Sequence, residues 1–110
     1  MIEGFAITAI VGLICIILGI SNIKGNIDTL HSYHRKRVAK EDILPYGRLI
    51  GTGTVTIGAS IILLAVFVLL SDLLHNKVFM NVGLVLMGIG TLTGIIISVY
   101  AMIKYNKGIF

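Results

Sequence analysis

The sequence has no tryptophan, one cysteine and one proline among its 110 residues. Charge is nearly as scarce, at 13% of residues. A soluble domain carries about 25% to keep its surface wet. Cys15 has no second cysteine with which to form an internal disulfide, and its place inside an apolar run reads as a small packing residue. No Asp, Glu, Lys, Arg or His occurs in Gly4–Ile23, Leu49–Ser71 or Val78–Ile103. Ionisable groups at bilayer depth mark ion pathways and proton relays, so their absence argues against a proton-coupled pump or transporter. Catalytic patterns are missing too. There is no P-loop, no H-E-x-x-H, no C-x-x-C and no defensible Ser-His-Asp arrangement. The Gly51-Thr-Gly-Thr stretch lies within an apolar run, which removes a phosphate-cradling role.

What is present is grease. Hydrophobic residues make up 56% of the chain, and the mean hydropathy is +1.01. Each of the three uncharged runs holds about 20 residues or more, enough for one helical pass through a hydrocarbon core. The expected fold is all-α: an integral membrane protein of three transmembrane helices, about 4–23, 49–71 and 78–103, in one domain spanning 1–110. The first run does not read as a cleaved signal peptide. It opens Met-Ile-Glu-Gly, with an acid and no base, and Ser21-Asn22-Ile23-Lys24 offers no small-x-small site. Retention as an anchor is the expectation. The heavy use of Ile with Asn and Lys suits an AT-rich bacterial genome.

Three passes put the first linker and the C-terminal tail on one side. That side collects Lys24, Arg35, Lys36, Arg37, Lys40, Arg48, Lys104 and Lys107, and the other holds only Lys77. Basic loops stay in the cytoplasm. The expected location is therefore the bacterial cytoplasmic membrane, multi-pass, with the N-terminus outside and the C-terminus cytoplasmic. The net charge of +4 reads as a membrane feature, with no call for nucleic acid. Tyr33, Tyr46, Tyr100 and Tyr105 fall near the inner surface, where a phenol can keep its hydroxyl wet. Phe5, Phe67 and Phe79 fall near the outer one.

Lipid tails are as apolar as leucine, so membrane helices associate through close backbone approach at small residues. Each run carries such a stripe: Thr8, Gly12, Cys15 and Gly19 in the first; Gly47, Gly51, Thr54 and Gly58 in the second; Gly90, Gly94 and Ser98 in the third, with Gly83 and Met87 on the same side. Gly47–Gly51 and Gly90–Gly94 both read G-x-x-x-G. Packing within one protomer is the first reading, and a homo-oligomer or a larger membrane protein partner is the sharper one. Thr52, Thr54, Thr56, Ser60, Thr91 and Thr93 can bond back to their own helices and need no pore to explain them.

The linker at 24–48 holds the remaining chemistry. His34-Arg35-Lys36-Arg37, followed by Lys40, is a basic cluster suited to anionic lipid head groups at the inner face or to an acidic partner. Asp28 or Thr29 is placed to cap a short amphipathic surface helix beginning near Leu30, with Leu30, Tyr33, Arg37 and Val38 on one face. Glu41 and Asp42 are candidates to pair with Lys40, Arg37 or Arg48. Pro45 suits the first turn of the second helix. His31 and His34 share helical spacing, but two ligands without a thiol or carboxylate cluster make no metal or haem site. No metal and no cofactor is expected.

This layout resembles small three-helix membrane proteins of low-GC Gram-positive bacteria that form a domain of unknown function. The residues that carry the likeness are Ser32-Tyr33-His34-Arg35-Lys36-Arg37-Val38 and Tyr46-Gly47-Arg48-Leu49-Ile50-Gly51. It is faintly similar to the membrane half of SdpI-type immunity proteins, although the Arg-Thr motif associated with them is absent from this linker. The resemblance implies no catalytic residues. The functional expectation is a non-enzymatic accessory or regulatory membrane protein acting through helix–helix and lipid-surface contacts. The alternative is an oligomeric channel or transporter for a small solute.

Overall fold

A computed structural model describes residues 2–28, 30 and 35–108. The described chain is helical with no strands. Three long helices run α1 (Ile2–Ile23), α2 (Ile43–Leu74) and α3 (Lys77–Tyr105), with a 3-10 turn at Lys40–Asp42 immediately before α2. All three are long and apolar enough to cross a membrane. This is the architecture of a multi-pass membrane protein.

The helices outrun the apolar runs. A rise of about 1.5 Å per residue makes α2 about 48 Å long and α3 about 44 Å, against a hydrocarbon core of roughly 30 Å. Hydropathy marks where lipid begins, whereas a helix continues into the head-group layer until a capping signal stops it. So α2 begins at Ile43, six residues before the apolar run, with Pro45 in its first turn. There a missing N–H costs no helical hydrogen bond.

The connection from α2 to α3 is a tight hairpin. His75 adopts the left-handed conformation at φ 51°, and Asn76 N–H donates to Ser71 O at 3.1 Å. Asn76 then caps α3, its side chain accepting from Val78 N–H at 3.0 Å. A residue in the left-handed well followed by an Asx cap reverses the chain in two positions.

α2 is the central element. Both α1 and α3 pack along it, while α1 and α3 meet each other marginally at most. The long dimension is 52 Å. The described linker residues Ile27, Leu30 and Val38 pack back onto the end of the bundle. Ile27, Tyr46, Ile50 and Ala101 form a buried cluster there, with Val38 and Tyr105 packed against it. This is the basic end of the molecule; the His75–Asn76 turn marks the hairpin end.

Part of the linker departs from expectation. Arg35–Val38 is turn and bend, not α-helix, so Arg37 and Val38 do not extend a surface helix from Leu30. Asn26 begins the local order: its Oδ1 accepts the Asp28 N–H at 3.0 Å. The cause of the irregular path is visible at its far side, where Arg37 N–H is drawn to an acceptor on the end of α3. Thr29, His31, Tyr33 and His34 lie outside the described residues.

Candidate functional site

Two features of the sequence were candidates for function: the small-residue stripes and the basic linker. The stripes have definite positions. Gly12 and Gly58 face each other across α1 and α2, and so do Gly19 and Gly51 about two helical turns further on. A Cβ on Gly12 would lie 2.8 Å from Gly58 O, and one on Gly58 would lie 2.7 Å from Gly12 O. On Gly19 it would come within 2.8 Å of Gly51 O; on Gly51 it would strike Gly19 O, and on Gly47 it would strike Asn22 O. These neighbours are backbone oxygens, which cannot swing aside. Cys15 belongs to the same seam, with its Cβ beside Gly58.

The α2–α3 seam works the same way with different residues. Gly94 faces Gly53: a Cβ on either would lie 2.6 Å or 2.7 Å from the carbonyl oxygen of the other. Gly90 opposes the Ser60 hydroxyl, and Gly83 abuts Phe67. So both G-x-x-x-G pairs are occupied within the chain, Gly47–Gly51 against α1 and Gly90–Gly94 against α2. Gly53 was not among the sequence candidates. Its signal was present in Gly51-Thr-Gly: two positions advance a helix by about 200°, so the two glycines serve opposite neighbours of a central helix. Gly88 is different, because a Cβ there meets nothing within 4 Å.

Five hydroxyls of α2 and α3 are turned to their own backbones. Thr52, Thr54, Thr56 and Ser60 donate to the carbonyls of Arg48, Ile50, Thr52 and Thr56, and Thr93 donates to Ile89 O. A groove of about 420 Å³ opens between α2 and α3, lined by Val55, Thr56, Ala59, Ser60, Leu63 and Gly90 among others. Its walls are mostly apolar, as suits contact with lipid.

The basic end is more elaborate. Arg35 is tied inward: its Nε donates to Leu30 O at 3.0 Å, and its guanidinium lies 3.9 Å from the Asp28 carboxylate. Lys36, Arg37 and Lys40 are exposed. Of the sequence-predicted basic cluster, Arg35 is thus a scaffold residue, Lys36, Arg37 and Lys40 present charge, and His34 lies outside the described residues. Among the described residues the ion pair joins Arg35 and Asp28, and none joins Glu41 or Asp42 to Lys40, Arg37 or Arg48. Lys104 stands over the rings of Tyr100 and Tyr105, 5.7 Å and 5.3 Å from their centroids. That is cation–π range.

Beneath these charges lie three residues the sequence did not single out for burial. Tyr46 and Asn106 are fully buried, and Asn22 is 2% exposed. Tyr46 was expected at the lipid surface with a wet hydroxyl; instead the linker and the foot of α3 cover it, and it meets the Tyr105 ring edge-on at 6.2 Å. Asn22 Nδ2 donates to Asn26 O at 3.3 Å, holding the exit from α1. Asn106 Oδ1 accepts Arg37 N–H at 3.1 Å, and its Nδ2 donates to Gly108 O at 3.1 Å. Buried amides need such partners to offset the loss of water.

Among the described residues, no three His, Cys, Asp or Glu side chains gather as a metal site. No family model, no curated protein and no solved structure matches this chain. The class defined by the fold is a three-helix integral membrane protein, centred on a glycine-rich middle helix and capped at its basic end.

Proposed function

We propose that the protein is a non-enzymatic accessory or regulatory component of the bacterial cytoplasmic membrane, with its N-terminus outside and its basic end in the cytoplasm. It acts through an exposed cationic surface at the anionic head groups and through the apolar outer faces of α1 and α3, which remain available to lipid or to a larger membrane partner. The observation that carries this reading is the charge distribution: eight of nine Lys and Arg residues belong to the basic end, and Lys36, Arg37 and Lys40 are exposed there. Anionic lipid attracts such residues by roughly 1 kcal/mol each.

Three measurements test it. A reporter fused after Phe110 should be active only in the cytoplasm, and one inserted at His75 only outside. The reverse pattern would overturn the orientation. Gentle extraction followed by cross-linking should recover a defined membrane complex. Specific solute flux in liposomes of the purified chain would replace this reading with an oligomeric channel.

A further inference from the structure

We propose that Asn106 is a positioning residue for the cationic surface, a latch through which the foot of α3 fixes the Arg35–Arg37 turn. The inference rests on the basic surface being the one that meets anionic head groups, but its geometry stands apart from any ligand. Arg37 N–H and Asn106 Oδ1 are 69 residues apart in sequence and 3.1 Å apart in space. The acceptor is completely buried, so water cannot substitute for it cheaply. The same side chain is itself held in place. Its backbone N–H donates to Met102 O at 2.9 Å, Gly108 N–H returns to Met102 O at 3.1 Å, and Nδ2 donates to Gly108 O. That is a helix C-terminal closure with Lys107 in the left-handed conformation at φ 60°.

The other anchors act at the near side of the turn. Arg35 Nε holds Leu30 O, and Val38 N–H donates to Arg35 O at 3.2 Å. Between these points the Lys36 and Arg37 side chains project outward from a backbone pinned on both sides. The latch therefore converts two cations on a loop into a surface of fixed spacing. The surface addressed is one of anionic phospholipid, which the exposed charges of Lys36 and Arg37 complement. Asn106 acts through Arg37 and touches no ligand itself.

The test uses the full chain in nanodiscs of zwitterionic or of phosphatidylglycerol-containing lipid. In wild type, hydrogen exchange should find Arg37 N–H protected at least about tenfold over its rate in an unstructured peptide in neutral lipid. An unprotected Arg37 N–H would overturn the latch without any mutant being needed. Asn106→Ala should remove that protection and speed tryptic cleavage at Lys36 and Arg37 by about tenfold, whereas Asn106→Asp, which keeps an acceptor for Arg37 N–H but loses the donor to Gly108 O, should restore part of it. An alanine variant with intact helix content and unchanged exchange would also overturn it. Adding phosphatidylglycerol should slow cleavage further in wild type and less in Asn106→Ala. If anionic lipid has no effect while Arg37 N–H stays protected, the latch stands, and the lipid-facing reading and the positioning role drawn from it both fail.

Discussion

The basic end and the membrane spans are held together by opposite means. Between the helices, contact is backbone on backbone, and the most buried span positions are mostly glycines: Gly12, Gly19, Gly51, Gly53, Gly58 and Gly94. At the basic end, the largest fully buried side chains are Tyr46, Asn22 and Asn106. The difference follows from the two solvents. In lipid, removing an apolar side chain from its surroundings gains little, so association depends on how closely main chains approach. At an aqueous boundary, burying an aromatic ring is driven by water, and buried amides are accepted when they find partners. One chain thus uses soluble-protein packing at one end and membrane packing along its length.

The largest test of that contrast is Tyr46→Ala, which empties the centre of the capped end. A loss of about 3–5 kcal/mol is expected, read as a lower thermal midpoint in detergent with helix content retained below it. Next, Gly51→Leu should force α1 away from α2, and Gly94→Leu should force α3 away. Each should cost at least about 1–3 kcal/mol, because the obstacle is a carbonyl oxygen. If either leaves thermal stability unchanged, the spans are not held by close approach. Asn76→Ala should remove the cap of α3 and cost about 1 kcal/mol, seen as a smaller drop in the same melt. The smallest effect sharpens the glycine argument. Gly88→Ala should be neutral or stabilise α3 by up to about 1 kcal/mol, since its Cβ meets open space and alanine is the better helix former. Destabilisation there would mean that a neighbour covers Gly88 in the membrane.

Much of the span architecture was legible, because composition alone separates three lipid-length runs and 3.6-residue spacing assembles the glycine faces. Gly12, Gly19, Gly51 and Gly58 could be grouped by spacing within each helix. Which stripe meets which neighbour could not, since pairing is a relation between helices. Gly53 escaped because a search for one face per helix suits an outer helix, whereas α2 has two. The basic end was hardly legible at all. Nothing in the spacing of Asn22, Tyr46 and Asn106 joins them; the chain ends must first be brought level by packing far away. Tyr46 was placed at the surface by the ordinary habit of interfacial tyrosines, and the fold-back of the linker overrode that habit. Arg35 likewise looked like its neighbours, although its guanidinium is used for internal bonding.

The near-absence of contact between α1 and α3 bears on how the protein is made. A nascent chain emerging from the ribosome can zip its first two hydrophobic segments together while the third is still being translated, because that pair needs nothing from it. The basic turn has no such independence. Its backbone donor waits for an acceptor made 69 residues later, so the earliest loop is the last part to be finished.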